Sequence, residues 1–128
     1  MKIYFDKTQS LPAHTLTVQK LKLAVSLLPK DMKSLINYIH VGNQLPSDSR
    51  FDRPVILASK RLNVLDRGLS EYQIIREIFI ELAQNLDRME SGHLGAYYGN
   101  RLNPSQLKQL NDMAEPFMKA YKELAFII

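Results

Sequence analysis

The residues of this chain that most resemble a catalytic motif lie in one helical turn, Ile80-Glu81-Leu82-Ala83-Gln84. Positions 80 and 84 are four residues apart, so their side chains lie one turn apart on the same face of a helix. Two histidines at such positions can bind one zinc ion, and a glutamate directly after the first can deprotonate the metal-bound water. Here Glu81 is present, but the ligand positions hold Ile80 and Gln84. The sequence therefore indicates a metal-site scaffold that has lost its ligands.

The helix that carries this turn is predicted over residues 70–90. Ser70 and Gln73 form a capping-box pattern at its start. Apolar residues recur at helical spacing and predict one buried face: Ile75, Ile78, Phe79, Leu82, Leu86 and Met89. The opposite side is polar apart from Ile80, and its polar residues are Gln73, Glu77, Gln84 and Arg88. Ile80 there indicates either a helix that is covered on both sides or a former metal pocket.

The remaining elements predict an α+β domain. Strands are expected at 1–7, 36–41, 54–59 and 62–65, and helices at 16–28, 31–35, 70–90 and from 103 onward. The last helix should be capped by Asn103, begin at Pro104 and be kinked or broken at Pro116. Loops are expected at 42–53 and 91–101, and the apolar tail 125–128 needs a groove or another chain to cover it. We expect one zincin-like domain over residues 1–128, with three to four short strands and the helices on one face of the sheet.

Composition sets limits on the class of protein. The chain has 128 residues, 45% of them apolar and 23% charged, which fits one soluble domain. It has no cysteine, so disulfides and thiolate metal sites are excluded. The polar N-terminus does not resemble a signal peptide, and no apolar run approaches the roughly 18 residues of a membrane span. These features lead us to expect a cytoplasmic protein without membrane contact.

The net charge of +4 is unevenly distributed along the chain. Residues 1–69 hold eleven Lys/Arg and five Asp/Glu, whereas residues 70–128 hold six and eight. A basic half can indicate a nucleic-acid partner. The basic residues are scattered in the sequence and not clustered with stacking aromatics, which disfavours that interpretation. A basic nucleic-acid-binding module is retained as one alternative.

In the sequence of the motif turn and of the segments around it, the chain resembles the zincin metallopeptidases, particularly compact glutamate-zincins such as the lethal-factor-type toxin domains. The similarity covers residues 28–123. The segments Leu28–Asp31, Ile39–Val41 and Val55–Leu57 resemble the elements that precede the catalytic helix of that family. The segment Met113–Tyr121 is similar to the helix that delivers the third zinc ligand, which the resemblance would assign to Glu115.

The departures from the family motif imply a loss of catalysis. Ile80 cannot bind a metal, and Gln84 offers only a neutral amide, so we expect no metal and no cofactor. Without zinc, Glu81 has no polarised water to deprotonate. Two carboxylates, Glu81 and Glu115, facing one cavity would repel, so one of them should take up a proton or find a donor. Gln84 and Arg76 are the candidate donors.

We therefore expect a catalytically inactive domain that acts by binding a protein partner. The former cleft would involve Arg76, Glu77 and three residues of the glycine-rich loop, His93, Tyr97 and Tyr98. One alternative is a metalloenzyme with an atypical site formed by Glu81, Glu115 and His93. Another is that Glu81 and Glu115 are ordinary surface glutamates that never meet. His40, in a predicted strand, is expected to be structural or partly exposed.

Overall fold

Four short strands form one mixed sheet in the computed structural model, which describes residues 1–6, 14–42, 54–66, 68–90 and 104–127. The strands are β1 (Lys2–Phe5), β2 (Tyr38–Gly42), β3 (Val55–Ala58) and β4 (Arg61–Leu65). Their order across the sheet is β1-β2-β4-β3. β1, β2 and β4 are parallel, whereas β3 pairs antiparallel with β4. All four predicted strands are present, with their ends displaced by one or two residues.

The helices are α1 (Val18–Leu27), α2 (Lys30–Lys33), α3 (Glu71–Glu90) and α4 (Pro104–Ala125). α1 begins after Thr17, whose side chain accepts a hydrogen bond from the backbone N–H of Lys20 at 3.2 Å. It ends before Pro29, as predicted, because the residue before a proline is disfavoured in the helical region.

The capping box of α3 is formed as predicted. The backbone N–H of Gln73 donates to the hydroxyl of Ser70, and the backbone N–H of Ser70 donates to the side-chain oxygen of Gln73, each at 3.2 Å. These two bonds satisfy backbone donors that the first helical turn would otherwise leave without a partner. The start of α3 is therefore fixed by local sequence.

The two faces of the sheet have different surroundings. Side chains of a strand alternate between its two faces. The register aligns apolar residues on the inner face, where they pack with the helices in the core. These residues are Ile3, Phe5, Ile39, Val41, Val55, Leu57, Leu62 and Val64. The alternate residues lie on the outer face: Lys2, Tyr4, Tyr38, His40, Ile56, Arg61 and Asn63. The helices therefore cover one face of the sheet.

A two-residue turn joins β3 to β4. Ser59 and Lys60 both have positive φ, at 51° and 63°. Two consecutive left-handed residues match the hairpin turn whose twist fits that of the flanking strands. Neither residue is a glycine, so each places a Cβ atom close to the following carbonyl oxygen, which is unfavourable in the left-handed region.

Pro116 lies inside α4, which continues without a break from Pro104 to Ala125. Of the two expected effects of Pro116, a break in the helix is therefore wrong, whereas a kink stays a prediction. A proline removes one backbone hydrogen bond, but buried side chains on both sides of it anchor the helix to the core: Leu110, Ala114, Phe117, Met118 and Tyr121. The predicted cap at Asn103 lies outside the described residues.

The ends of α3 and α4 carry exposed apolar side chains. Met89 was predicted on the buried face of α3 but is 69% exposed, because only the earlier turns of this helix pack against the core. After α4, Phe126 and Ile127 are 90% and 78% exposed. The described core therefore does not cover these two residues of the apolar tail, and Ile128 lies outside the described residues.

The predicted fold class is confirmed. The protein is an α+β domain with a small, four-stranded mixed sheet. None of the helices in the described parts of the chain is both long enough and apolar enough to cross a membrane.

Candidate functional site

The turn of α3 that carries Glu81 is covered on both sides. β3 packs on one side of the helix and α4 on the other, where Phe79 contacts Phe117 with ring centroids 5.1 Å apart. Ile80, Glu81 and Gln84 are only 4%, 8% and 5% exposed. The burial of Ile80 thus fits a helix that is covered on both sides, and a former metal pocket at this turn stays a prediction.

The carboxylate of Glu81 accepts a hydrogen bond from the backbone N–H of Leu57 at 2.8 Å. Leu57 belongs to β3, which is one of the two edge strands of the sheet. The carbonyl of Pro54 accepts from Leu65 in β4, and donors alternate in direction along a strand, so the N–H of Leu57 points away from β4. Glu81 therefore satisfies a backbone donor on the open edge of the sheet, where unpaired groups attract other strands.

The carboxylate of Glu115 has a different partner. The guanidinium of Arg76 donates to it at 2.7 Å and also reaches the side-chain oxygen of Asn111 at 3.3 Å. Arg76 lies one turn before Ile80 and about 140° around the helix from Glu81. In these contacts each of the two carboxylates thus has a donor of its own.

The other residues of the predicted cleft do not complete a metal site within the described part of the chain. Glu77 is partly buried on α3, whereas His93, Tyr97 and Tyr98 lie outside the described residues. Within the described ranges, no three His, Asp or Glu side chains form a group that could hold a metal ion. Since Ile80 has no ligand atom and Gln84 only a neutral amide, the residues present do not fit a three-ligand zinc site.

A second polar cluster lies where β1 and β4 end. Asp66 follows β4 and its side chain is fully buried. One carboxylate oxygen of Asp66 is 2.8 Å from Nδ1 of His14, and the other accepts from the backbone N–H of Leu16 at 2.9 Å. The hydroxyl of Thr15 donates to the backbone carbonyl of Asp66 at 2.8 Å. These bonds hold the segment before α1 against the end of the sheet.

His14 is a cation in this arrangement. Its Nδ1 faces the Asp66 carboxylate, and its Nε2 lies 2.6 Å from the backbone carbonyl of Asp6. Both partners only accept hydrogen bonds, so both ring nitrogens must carry a proton. Burial lowers the pKa of His14, but the hydrogen bonds to Asp66 and Asp6 and the negative charges of both aspartates outweigh this effect and raise the pKa above its usual 6.5.

A short series of hydrogen bonds continues from Asp6 across the sheet. The Asp6 carboxylate is 2.7 Å from Nε2 of His40, and Arg61 lies 2.8 Å from Nδ1 of the same ring. Arg61 can only donate, so Nδ1 accepts and Nε2 donates to Asp6. His40 is thus a structural, partly exposed residue, as predicted.

Sequence reasoning assigned no role to Asp6, His14 or Asp66. Asp6 and Asp66 directly follow β1 and β4, which are both parallel to the strand β2 between them, so these two strands end at the same edge of the sheet. The signal was therefore present in the sequence, but it required the direction and order of the strands, which the pattern alone did not give.

No protein-family model, curated protein or solved structure matches this chain. The functional interpretation therefore depends on the contacts described above.

Proposed function

We propose that this chain is a catalytically inactive, zincin-like domain that acts by binding a protein partner. The observation that carries the proposal is the hydrogen bond between the Glu81 carboxylate and the Leu57 backbone N–H. In the corresponding enzymes the glutamate must reach a metal-bound water. Here the same group stabilises the edge of the sheet, in a helical turn that is almost completely buried.

The position of Arg76 supports the proposal. Glu115, which the resemblance assigns to the third zinc ligand, pairs with the guanidinium of Arg76. A fixed positive side chain thus balances a carboxylate whose counterpart in the enzymes is neutralised by the metal. Ile80 fills the space at the first ligand position with apolar volume, and it belongs to the buried core.

Restoring the ligands tests the zincin-like assignment. The variant Ile80→His with Gln84→His should bind zinc at least about tenfold more tightly than the wild type, measured by competition with a zinc chelator. Adding Arg76→Ala should increase the affinity further, because it releases Glu115 from its ion pair. The matched control is Glu115→Gln in the same triple background, which should lose that increase.

Folding of each variant is checked by circular dichroism before zinc is added. A folded triple variant with the zinc affinity of the wild type would contradict the assignment. Equal affinity of the triple variant with and without Glu115→Gln would contradict the role given to Glu115.

Two measurements on the wild type test inactivity and binding. A peptide mixture incubated with the chain and added zinc should remain uncut by mass spectrometry. A tagged wild-type chain should co-purify one protein in stoichiometric amount from cells that express it. Zinc-dependent cleavage that disappears in Glu81→Gln would overturn the inactive reading.

A further inference from the structure

The outer face of the sheet brings aromatic and basic side chains together. The register places Lys2, Tyr38 and Arg61 side by side in one row across β1, β2 and β4. Two residues further along the same strands, Tyr4 and His40 form the next row. In the sequence these five residues are spread over 60 positions, so their proximity is a product of the parallel strand pairing.

The rings and cations in these rows are in direct contact. Tyr4 and His40 stack with ring centroids 5.4 Å apart and planes inclined by 22°. The guanidinium of Arg61 lies over the ring of Tyr38, 5.5 Å from its centroid. Arg61 also donates to His40, so the two rows are linked. These contacts hold the rings and the guanidinium in defined orientations on the sheet.

The surface is accessible and positively charged. Tyr4 is 49% exposed on the edge strand β1, and Lys2 and Arg61 are exposed as well. Tyr38 is partly exposed, with the guanidinium of Arg61 over its ring. Lys60, in the turn before β4, adds a further exposed positive charge beside Arg61. Asp6 brings a negative charge to the end of the second row, where its carboxylate bonds to His40. An exposed sheet with stacking rings beside basic side chains is suited to unpaired bases joined by phosphates.

We propose that the outer face of the sheet binds single-stranded nucleic acid, with bases stacking on Tyr4 and Tyr38 and phosphates contacting Lys2 and Arg61. The proposal is independent of the zincin-like assignment, because the turn of α3 with Glu81 lies on the inner side of the sheet. A duplex is a poorer fit because its bases are stacked on each other and unavailable to the rings.

Fluorescence anisotropy with labelled oligonucleotides of about 12 residues, within the site sizes of single-strand-binding folds, tests this proposal. The probes are an oligouridine RNA, an oligothymidine DNA and a mixed-sequence duplex of the same length. Both single strands should bind more tightly than the duplex. For two phosphate contacts, the affinity should fall about sevenfold between 50 mM and 200 mM salt, a log–log slope of about −1.4.

Substitutions on the face should separate stacking from charge. Tyr4→Ala should weaken single-strand binding by about 5-fold to 150-fold, the range expected for one stacked base. Arg61→Ala should weaken binding and reduce the salt slope by about 0.7. Tyr4 lies partly exposed on an edge strand, so Tyr4→Ala should leave the fold intact, and a thermal melt checks this.

The helical side of the molecule offers a matched control. Tyr72 is 46% exposed and has the ammonium of Lys122 over its ring, 5.3 Å from the centroid. Tyr72→Ala and Lys122→Ala should leave oligonucleotide affinity unchanged.

Three results would overturn the proposal. The first is the absence of saturable single-strand binding at protein concentrations up to about 100 µM, the weak limit of non-specific binding. The second is equal loss of binding in Tyr4→Ala and Tyr72→Ala. The third is self-association of the chain that Tyr4→Ala abolishes without any oligonucleotide binding, which would assign the face to a second copy of the protein.

Discussion

Two carboxylates of this chain, Asp66 and Glu115, accept hydrogen bonds from cationic side chains in different surroundings. Asp66 is fully buried and bonds to His14 and to a backbone N–H, whereas the side chain of Glu115 is 60% exposed and bonds to Arg76. Removing one partner of a buried pair leaves an uncompensated charge, but water replaces a lost partner at the surface. Burial, and not the presence of an ion pair, therefore decides how much each carboxylate stabilises the fold.

The largest loss of unfolding free energy is expected when Asp66 is replaced. Asp66→Ala removes the acceptor of the Leu16 N–H and leaves the His14 cation without its carboxylate, which should cost about 3–5 kcal/mol of unfolding free energy. Urea denaturation at pH 6 measures this cost. A loss no larger than that of Glu115→Ala would remove the distinction between the two sites.

A smaller effect should follow from pH, because deprotonating His14 removes one interaction of the cluster and leaves the Asp66 bond to Leu16. The pKa of His14 is raised in the folded state, so its contribution is fully present below the unfolded value of about 6.5 and is lost as pH rises through the folded pKa. Stability of the wild type should therefore decline over this window relative to His14→Gln. Parallel pH profiles of the two chains would contradict a linked proton.

Glu81 sharpens the comparison because it is a buried carboxylate that accepts a hydrogen bond from an uncharged group, the Leu57 N–H. Glu81→Ala should cost about 1–3 kcal/mol because it leaves a partly buried backbone donor unsatisfied. Glu81→Gln keeps an acceptor oxygen and should cost less than half of that. Urea denaturation of both variants gives the two values, and equal costs would show that charge, not the hydrogen bond, matters at this position.

The smallest effect is expected for Arg76 and Glu115. A double-mutant cycle with Arg76→Ala and Glu115→Ala should give a coupling of about 0.2–1 kcal/mol, because both side chains are accessible to solvent. The coupling should decrease when the salt concentration is raised from 0.1 M to 1 M. A coupling above 2 kcal/mol that salt does not change would place this pair in the same class as Asp66.

Local patterns predicted the elements of this fold but not the way in which they meet. The capping box at Ser70 and the proline after α1 act within a few residues, so their effects could be read from the sequence. The burial of Gln84 and the continuity of α4 through Pro116 depend on packing by distant segments. The same holds for the cluster at Asp66, because His14 and Asp66 are 52 residues apart and only the strand order brings them together.

The contrast also applies to the functional surfaces. The motif turn at Glu81 can be identified from the sequence because its spacing is local. The row of Lys2, Tyr38 and Arg61 forms only when the parallel strands pair. Along the sequence, the basic residues are separated from the aromatic ones, which disfavours a nucleic-acid partner. Across the sheet they are in contact.

The two-residue turn at Ser59 and Lys60 has a consequence for the order in which the protein assembles. Only this turn separates β3 from β4, so their pairing closes a very short loop. The pairing of β1 with β2 closes a loop of more than 30 residues. Loop closure over long segments slows folding. We therefore expect the hairpin to be formed in the folding transition state and β1 to dock last, so Leu62→Ala should slow refolding while Ile3→Val should mainly accelerate unfolding.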